Sequence, residues 1–217
     1  NGQSEIPFHV FLWVLYEGVR PNSKYLKRVP ASQRRRSSST NRVQSAKKAA
    51  ADPDVPDIFY YEPQKSKKVK VLGQGGMSVA WLLDYDGHRL VGKYPLPSMD
   101  PQGVKDMFAA AHLQQRIRHR NVLRVVGVSE NHKVILLEVA EGGDLADWYG
   151  KKVDPMVQWK VAREVAEALN ALHTMKPPVV HRDLKGQNVF LTKDQVAKLA
   201  DFDLAVELPP PAMQTTG

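Results

Sequence analysis

The sequence predicts an α+β fold in two parts, an antiparallel sheet with one helix and then a region built on a long helix. Three observations carry that prediction. From Asp57 to Leu137 the chain runs in short, dense apolar segments punctuated by turns, the pattern of a meandering sheet. After Asp154, the residues Val157, Val161, Val165, Leu169 and Leu172 recur every three or four positions and mark one face of a long helix. Between that helix and the C-terminus, the polar run His181 to Asn188 is followed thirteen residues after Asn188 by Asp201-Phe202-Asp203, with two short apolar strands between. A chain of 217 residues, 42% of them hydrophobic, is enough for one ordinary domain with a buried core.

The chain opens on Asn1 rather than Met, so it is expected to be a piece of a longer product, and a missing leader carries no meaning. The absence of cysteine excludes a disulfide framework and a thiolate metal site, and fits a reducing compartment. The net charge of +8 is uneven: Arg20 to Lys48 holds ten Lys or Arg and no acid, whereas Asp57 to Gly217 holds 21 basic and 19 acidic residues. Residues 1–56 therefore read as a basic, largely disordered tail, polar around Arg34-Arg35-Arg36-Ser37-Ser38-Ser39. A solvated linker is the leading reading of that tail, against an import signal, an anionic-membrane contact or a phosphorylated site. Ile6 to Val19 is nearly all apolar but shorter than the roughly 20 residues a spanning helix needs. It reads as an amphipathic helix or strand, with a membrane anchor on the cytoplasmic side as the lesser alternative, since basic residues follow directly.

Strands are expected at Lys67 to Leu72, Val79 to Tyr85 and Arg89 to Tyr94, the last two joined by a hairpin turn at Asp84-Tyr85-Asp86-Gly87. The first turn, Leu72-Gly73-Gln74-Gly75-Gly76-Met77-Ser78-Val79-Ala80, is glycine-rich. A strand follows it, where a dinucleotide fold would need a helix. Asp100-Pro101 places a capping residue before a proline at the first helical position, and Val104, Met107, Phe108 and Ala111 form that helix's apolar face. Further strands are expected at Val122 to Val128, Lys133 to Leu137, Val189 to Leu191 and Val196 to Ala200. Trp81, Trp148 and Trp159 read as packing residues, and the seven histidines have no metal-site spacing.

His181-Arg182-Asp183-Leu184-Lys185-Gly186-Gln187-Asn188 resembles the H-R-D-L-x-x-x-N catalytic loop of protein kinases, and Asp201-Phe202-Asp203 resembles their D-F-G. The approach His173 to His181 resembles most closely the tyrosine-kinase-like group of serine/threonine kinases. The resemblance covers about residues 66 to 217. It implies a two-lobed protein-kinase-like fold: an N-lobe sheet with one helix over 57–138, and a partial helical C-lobe over 139–217, since the A-P-E motif and later helices are not in the sequence.

The same resemblance implies ATP and Mg2+ as cofactors. Asp183 would accept the hydroxyl proton with Lys185 beside it, Lys93 would contact the phosphates, and Asn188 and Asp201 would hold the metal. Leu72, Gly73, Gly75, Gly76 and Ser78 would form the phosphate-covering turn. Ala80 and Val91 would sandwich adenine with their two sizes exchanged, a volume-conserving swap. Leu137, Glu138 and Ala140 would form the hinge, Glu138 and Ala140 through main-chain groups, and Phe190 would contact the nucleotide.

The implied function is Mg-ATP-dependent transfer of the γ-phosphoryl group to a protein Ser or Thr. The alternative is a nucleotide-binding pseudokinase scaffold. A small-molecule phosphotransferase, suggested by the D-x-D of Asp201 and Asp203, stands third. Partners are a protein substrate and a nucleotide, with no nucleic acid, and the implied location is cytoplasmic. The sequence departs from the family at Ser78, where a third glycine is usual, at Gln114, usually apolar, at Asp203, where glycine is usual, and at Ala110, which aligns with the helix Glu that pairs with the strand lysine. Without that Glu, Lys93 is expected to pair with Asp201 or Asp203 and slow the reaction. Asp203 itself is expected to cap the following turn.

Overall fold

Alternating polar and apolar residues between Ser66 and Pro95 build three consecutive antiparallel strands, β1 (Ser66–Gln74), β2 (Ser78–Tyr85) and β3 (His88–Pro95). They belong to a computed structural model that describes residues 56–209. The apolar segment 6–19, the basic tail and the prolines at 210 and 211 lie outside the described residues. β1 is the edge strand and is exposed almost throughout, with Lys68 lying over the rings of Trp81 and Tyr94. An edge of exposed lysines discourages pairing with another chain.

Helix α1 (Pro101–Gln115) starts where the sequence signals it: the Asp100 carboxylate accepts the amides of Gln102 and Gly103, and Pro101 fills the first turn. Its Met107, Phe108 and Ala111 enter an apolar cluster with Leu123, Val125, Ile135, Leu137 and Ala200. β4 (Val125–Ser129) and β5 (Val134–Leu137) complete a five-stranded sheet in the order β1-β2-β3-β5-β4. The expected strand from Val122 begins only at Val125. Val122 and Leu123 turn away to a later segment, Val122 bridging Leu199 and the Leu123 amide donating to the Leu199 carbonyl at 2.8 Å.

Helix α2 (Pro155–His173) opens on an Asp154 cap that accepts the Met156 amide, and buries Val161, Ala162, Val165, Ala168 and Leu172. The expected face is thus the buried one, although Val157 and Leu169 are only partly covered. Trp159 departs from its reading as a packing residue: at 61% exposure it lies on the outer side of α2. Short antiparallel pairs follow, β6 (Val179–Val180) with β9 (Val206–Glu207), and β7 (Val189–Leu191) with β8 (Ala197–Leu199). Among the described residues no helix is long and apolar enough to cross a membrane.

Candidate active site

The polar run between β6 and β7 is held by buried hydrogen bonds rather than left as a surface turn. His181 is buried, its Nε2 2.9 Å from the Ala200 carbonyl, and its Nδ1 accepts the Asp183 amide at 3.3 Å. A carbonyl can only accept and an amide only donate, so both bonds are met by the neutral ring with its proton on Nε2. Burial also pushes the His181 pKa below 6.5, opposed by the Ala200 bond. The ring meets Phe202 edge-on at 4.9 Å.

Asp183 is the centre of the run. Its Oδ2 accepts from Lys185 Nζ at 2.6 Å and from Asn188 Nδ2 at 2.8 Å, and its carbonyl accepts the same Asn188 amide at 2.9 Å. The Lys185 ammonium, opposed next by burial and then helped by the Asn188 amide, holds the Asp183 carboxyl below its ordinary value. Asp183 is therefore an ionised acceptor at neutral pH. The nitrogen end of Asn188 is thus committed to Asp183, and its Oδ1 makes neither of these bonds.

The second motif is stitched to the first through Ala200. The Ala200 amide donates to the Asn188 carbonyl at 2.8 Å, while its own carbonyl bonds His181. Asp201 follows with φ +62°, and Arg182 has φ +64°, both in the left-handed region that costs a non-glycine residue free energy. Arg182 is tied down by its Nε donating to the Leu204 carbonyl at 2.6 Å.

Lys93, on β3 opposite Ala80, reaches the same segment. Its Nζ lies 2.8 and 3.0 Å from the two carboxylate oxygens of Asp203 and 3.5 Å from Asp201 Oδ1. The expected pairing is therefore made mainly with Asp203. The expected cap is not made: among the described residues both oxygens of Asp203 bond Lys93, and the unusual backbone angle belongs to Asp201. Ala110 is buried in α1, which presents no carboxylate to Lys93; Asp106 instead accepts from Gln102. Gln114 has a reason for departing from an apolar residue, since its buried amide donates to the Leu123 carbonyl at 2.7 Å.

The residues expected around adenine fall together. Leu137 belongs to the apolar cluster under α1, and Val91, Ala140 and Phe190 pack against it. Ala80 sits one strand over, opposite Gly73 and Lys93, and Leu72 is exposed next to it on β1. The glycine turn is anchored on both sides, by the Gly75 amide to the Ser78 carbonyl at 2.9 Å and the Leu96 amide to the Met77 carbonyl at 2.8 Å. A Cβ at Gly73 or Gly76 would meet nothing within 4 Å and neither has a positive φ, so internal packing and backbone angle do not require glycine there.

Glu138 holds more than its expected main-chain role. Its amide donates to the Arg124 carbonyl at 3.0 Å. Its buried carboxylate accepts from the Arg124 amide and from Lys198 Nζ, both at 2.8 Å. Sequence reasoning missed Lys198, and missed Glu164 of α2, buried and accepting the Ala197 amide at 2.8 Å. The available signal was a charged residue inside an otherwise apolar strand or helix face, which is kept only when it is paired. Gly186 was also overlooked as a packing residue; a Cβ there would lie 2.5 Å from the Tyr149 hydroxyl.

A family model described as the protein kinase domain matches residues 66–216. The chain belongs to the protein kinase domain family. Among curated proteins it is similar to two probable LRR receptor-like serine/threonine-protein kinases of Arabidopsis thaliana, 35% and 34% identical over 148 residues, which is 64% of this chain and 17% of each of theirs. It is likewise 32% identical, over 64% of its length and 16% of the other, to a receptor-like protein kinase of the same plant. The chain thus spans about a sixth of the length of these relatives.

Proposed function

We propose that the protein carrying this chain is a Mg-ATP-dependent protein serine/threonine kinase. The observation that carries the reading is the Ala200 stitch, which brings the Asp183 loop and the Asp201 segment against one another while Lys93 enters from the sheet. Asn188 Oδ1 and the Asp201 carboxylate are hard oxygen donors of the kind magnesium takes. Magnesium, when bound with ATP, would neutralise the charge that develops on the transferred phosphoryl group.

The chain's own residues would do the rest. Asp183, held ionised by Lys185, accepts the proton of a Ser or Thr hydroxyl as that oxygen forms its bond to the γ-phosphorus and the bond to ADP breaks. Lys185 offers a positive charge where the phosphoryl oxygens arrive. Lys93 orients the phosphates, the bare backbone at Gly73 and Gly76 permits their close approach, and Val91, Ala80, Leu137, Ala140 and Phe190 offer an apolar slot for the base. Serine or threonine substrates are favoured by Lys185, two residues after Asp183, and by the names of the similar plant proteins. The proposed location is cytoplasmic, where ATP is abundant; a membrane contact through residues 6–19 remains a separate proposal.

Ala110 favours a second reading, a nucleotide-binding scaffold without turnover, because the helix carboxylate of active family members has no counterpart on α1. Phosphate incorporation from γ-labelled ATP separates the two. The full-length protein should label Ser or Thr, and Asp183→Asn should lower the rate by at least about 100-fold, as loss of a positioned acid–base group does. Nucleotide binding with no incorporation would favour the scaffold.

A further inference from the structure

We propose that Asp203 is the positioning residue for Lys93, supplying from the loop after β8 the carboxylate that α1 lacks, and thereby leaving Asp201 available for a metal. The inference rests on the kinase reading of the site and adds to it the means by which Lys93 is held. Four observations carry it. Both Asp203 oxygens lie within 3.0 Å of Lys93 Nζ, whereas Asp201 offers one oxygen at 3.5 Å. The pair is largely sheltered, Lys93 being 21% and Asp203 28% exposed against 39% for Asp201, so water screens the closer pair less. The Asp203 carboxylate makes no other bond among the described residues, and its backbone has no positive φ, so neither turn capping nor strain explains an acid at this position. Lastly, Lys93 pairs with no acid of α1: its carboxylate partners among the described residues are Asp201 and Asp203, and Asp106 of α1 accepts from Gln102.

The consequence concerns control. A lysine held by a helix carboxylate is placed or displaced as the helix moves. Here Lys93 is held by the segment 201–205, itself fixed by the Ala205 amide on the Phe202 carbonyl at 2.9 Å and by Arg182 on Leu204. The position of Lys93 then follows that segment rather than a carboxylate carried on α1.

The test is a charge-relocation cycle in the full-length protein: Asp203→Asn, Asp203→Glu, and Asp203→Asn combined with Ala110→Glu, each checked for an unchanged melting temperature. Two quantities are read, kcat at saturating Mg-ATP and the magnesium concentration giving half-maximal ATP affinity. Asp203→Asn should lower kcat by about 10- to 100-fold, the cost of a misplaced contact, and raise the magnesium requirement, because Lys93 falls back on Asp201. Asp203→Glu should keep most of both. Adding Ala110→Glu should recover most of what Asp203→Asn loses, which a mere turn cap would not allow. Asp203→Asn within twofold of wild type in both quantities would overturn the proposal. So would equal losses in Asp203→Asn and Asp203→Glu with no recovery in the double variant. If the wild type incorporates no phosphate while the magnesium requirement follows the predicted pattern, the kinase reading fails and this one stands. Incorporation without the pattern has the opposite meaning.

Discussion

At the scale of single residues, the site depends on protonation states that the surrounding bonds select. His181 is neutral because its two ring nitrogens face a carbonyl and an amide, and because burial disfavours its charged form. His119 is shifted in the same direction, again chiefly by burial. Both therefore bind a proton more weakly folded than unfolded, so the unfolded chain takes up protons first as pH falls below about 6.5. Their contribution to stability is fully present above that value and is lost on acidification through it toward their lower folded values. The melting temperature should drop between pH 7.5 and 5.5, before any ordinary carboxylate titrates; a flat or rising profile across that window would contradict the assignment of His181 as neutral and buried. Resemblance to the two kinase motifs singled out Asp183, Asn188 and Asp201, and the structure brings the segments that carry them together. The sequence did not disclose which acid Lys93 would choose, because Asp201 and Asp203 are two residues apart and the choice is made by where β3 meets the loop.

At the scale of elements, helix starts were the most legible features. Asp100-Pro101 and Asp154-Pro155 each join a side-chain acceptor to a residue that needs no amide bond, and both helices begin there. Strand ends were less legible, as at Val122, because an apolar run can leave its sheet for a distant partner such as Leu199. The bond between elements that the sequence concealed most fully is Glu138 to Lys198, which ties the end of β5 to β8, three residues before Asp201. Both side chains are buried. Removing one partner of a buried pair strands the other charge, which typically costs about 3–5 kcal/mol, whereas replacing both by apolar groups can be nearly neutral. Lys198→Met alone should therefore destabilise the protein by that order, and adding Glu138→Leu should recover part of it, less the bond that Glu138 makes to the Arg124 amide. Denaturant titration of the two variants checks this, and additive losses would show the pair to be uncoupled.

At the scale of the whole described molecule, a five-stranded sheet with one helix delivers Lys93, and the segments after α2 deliver Asp183, Asn188, Asp201 and Asp203. Glu138, just after β5, binds the sheet to those segments by pairing with Lys198, and Arg89 of β3 pairs with Glu141. The α+β class and the order of elements were readable because hydrophobic period and capping are local. The convergence has no such local signal, since it depends on contacts between residues more than 100 positions apart, as between Lys93 and Asp203, and was expected only through the resemblance to kinases. The account stands on that convergence forming a magnesium-dependent nucleotide site. Calorimetric titration of the full-length protein with ATP, with and without Mg2+, measures it most directly. Saturable binding of one nucleotide per chain that strengthens with Mg2+ and loses that dependence in Asp201→Asn is the predicted result; no heat of binding at millimolar Mg-ATP would contradict it.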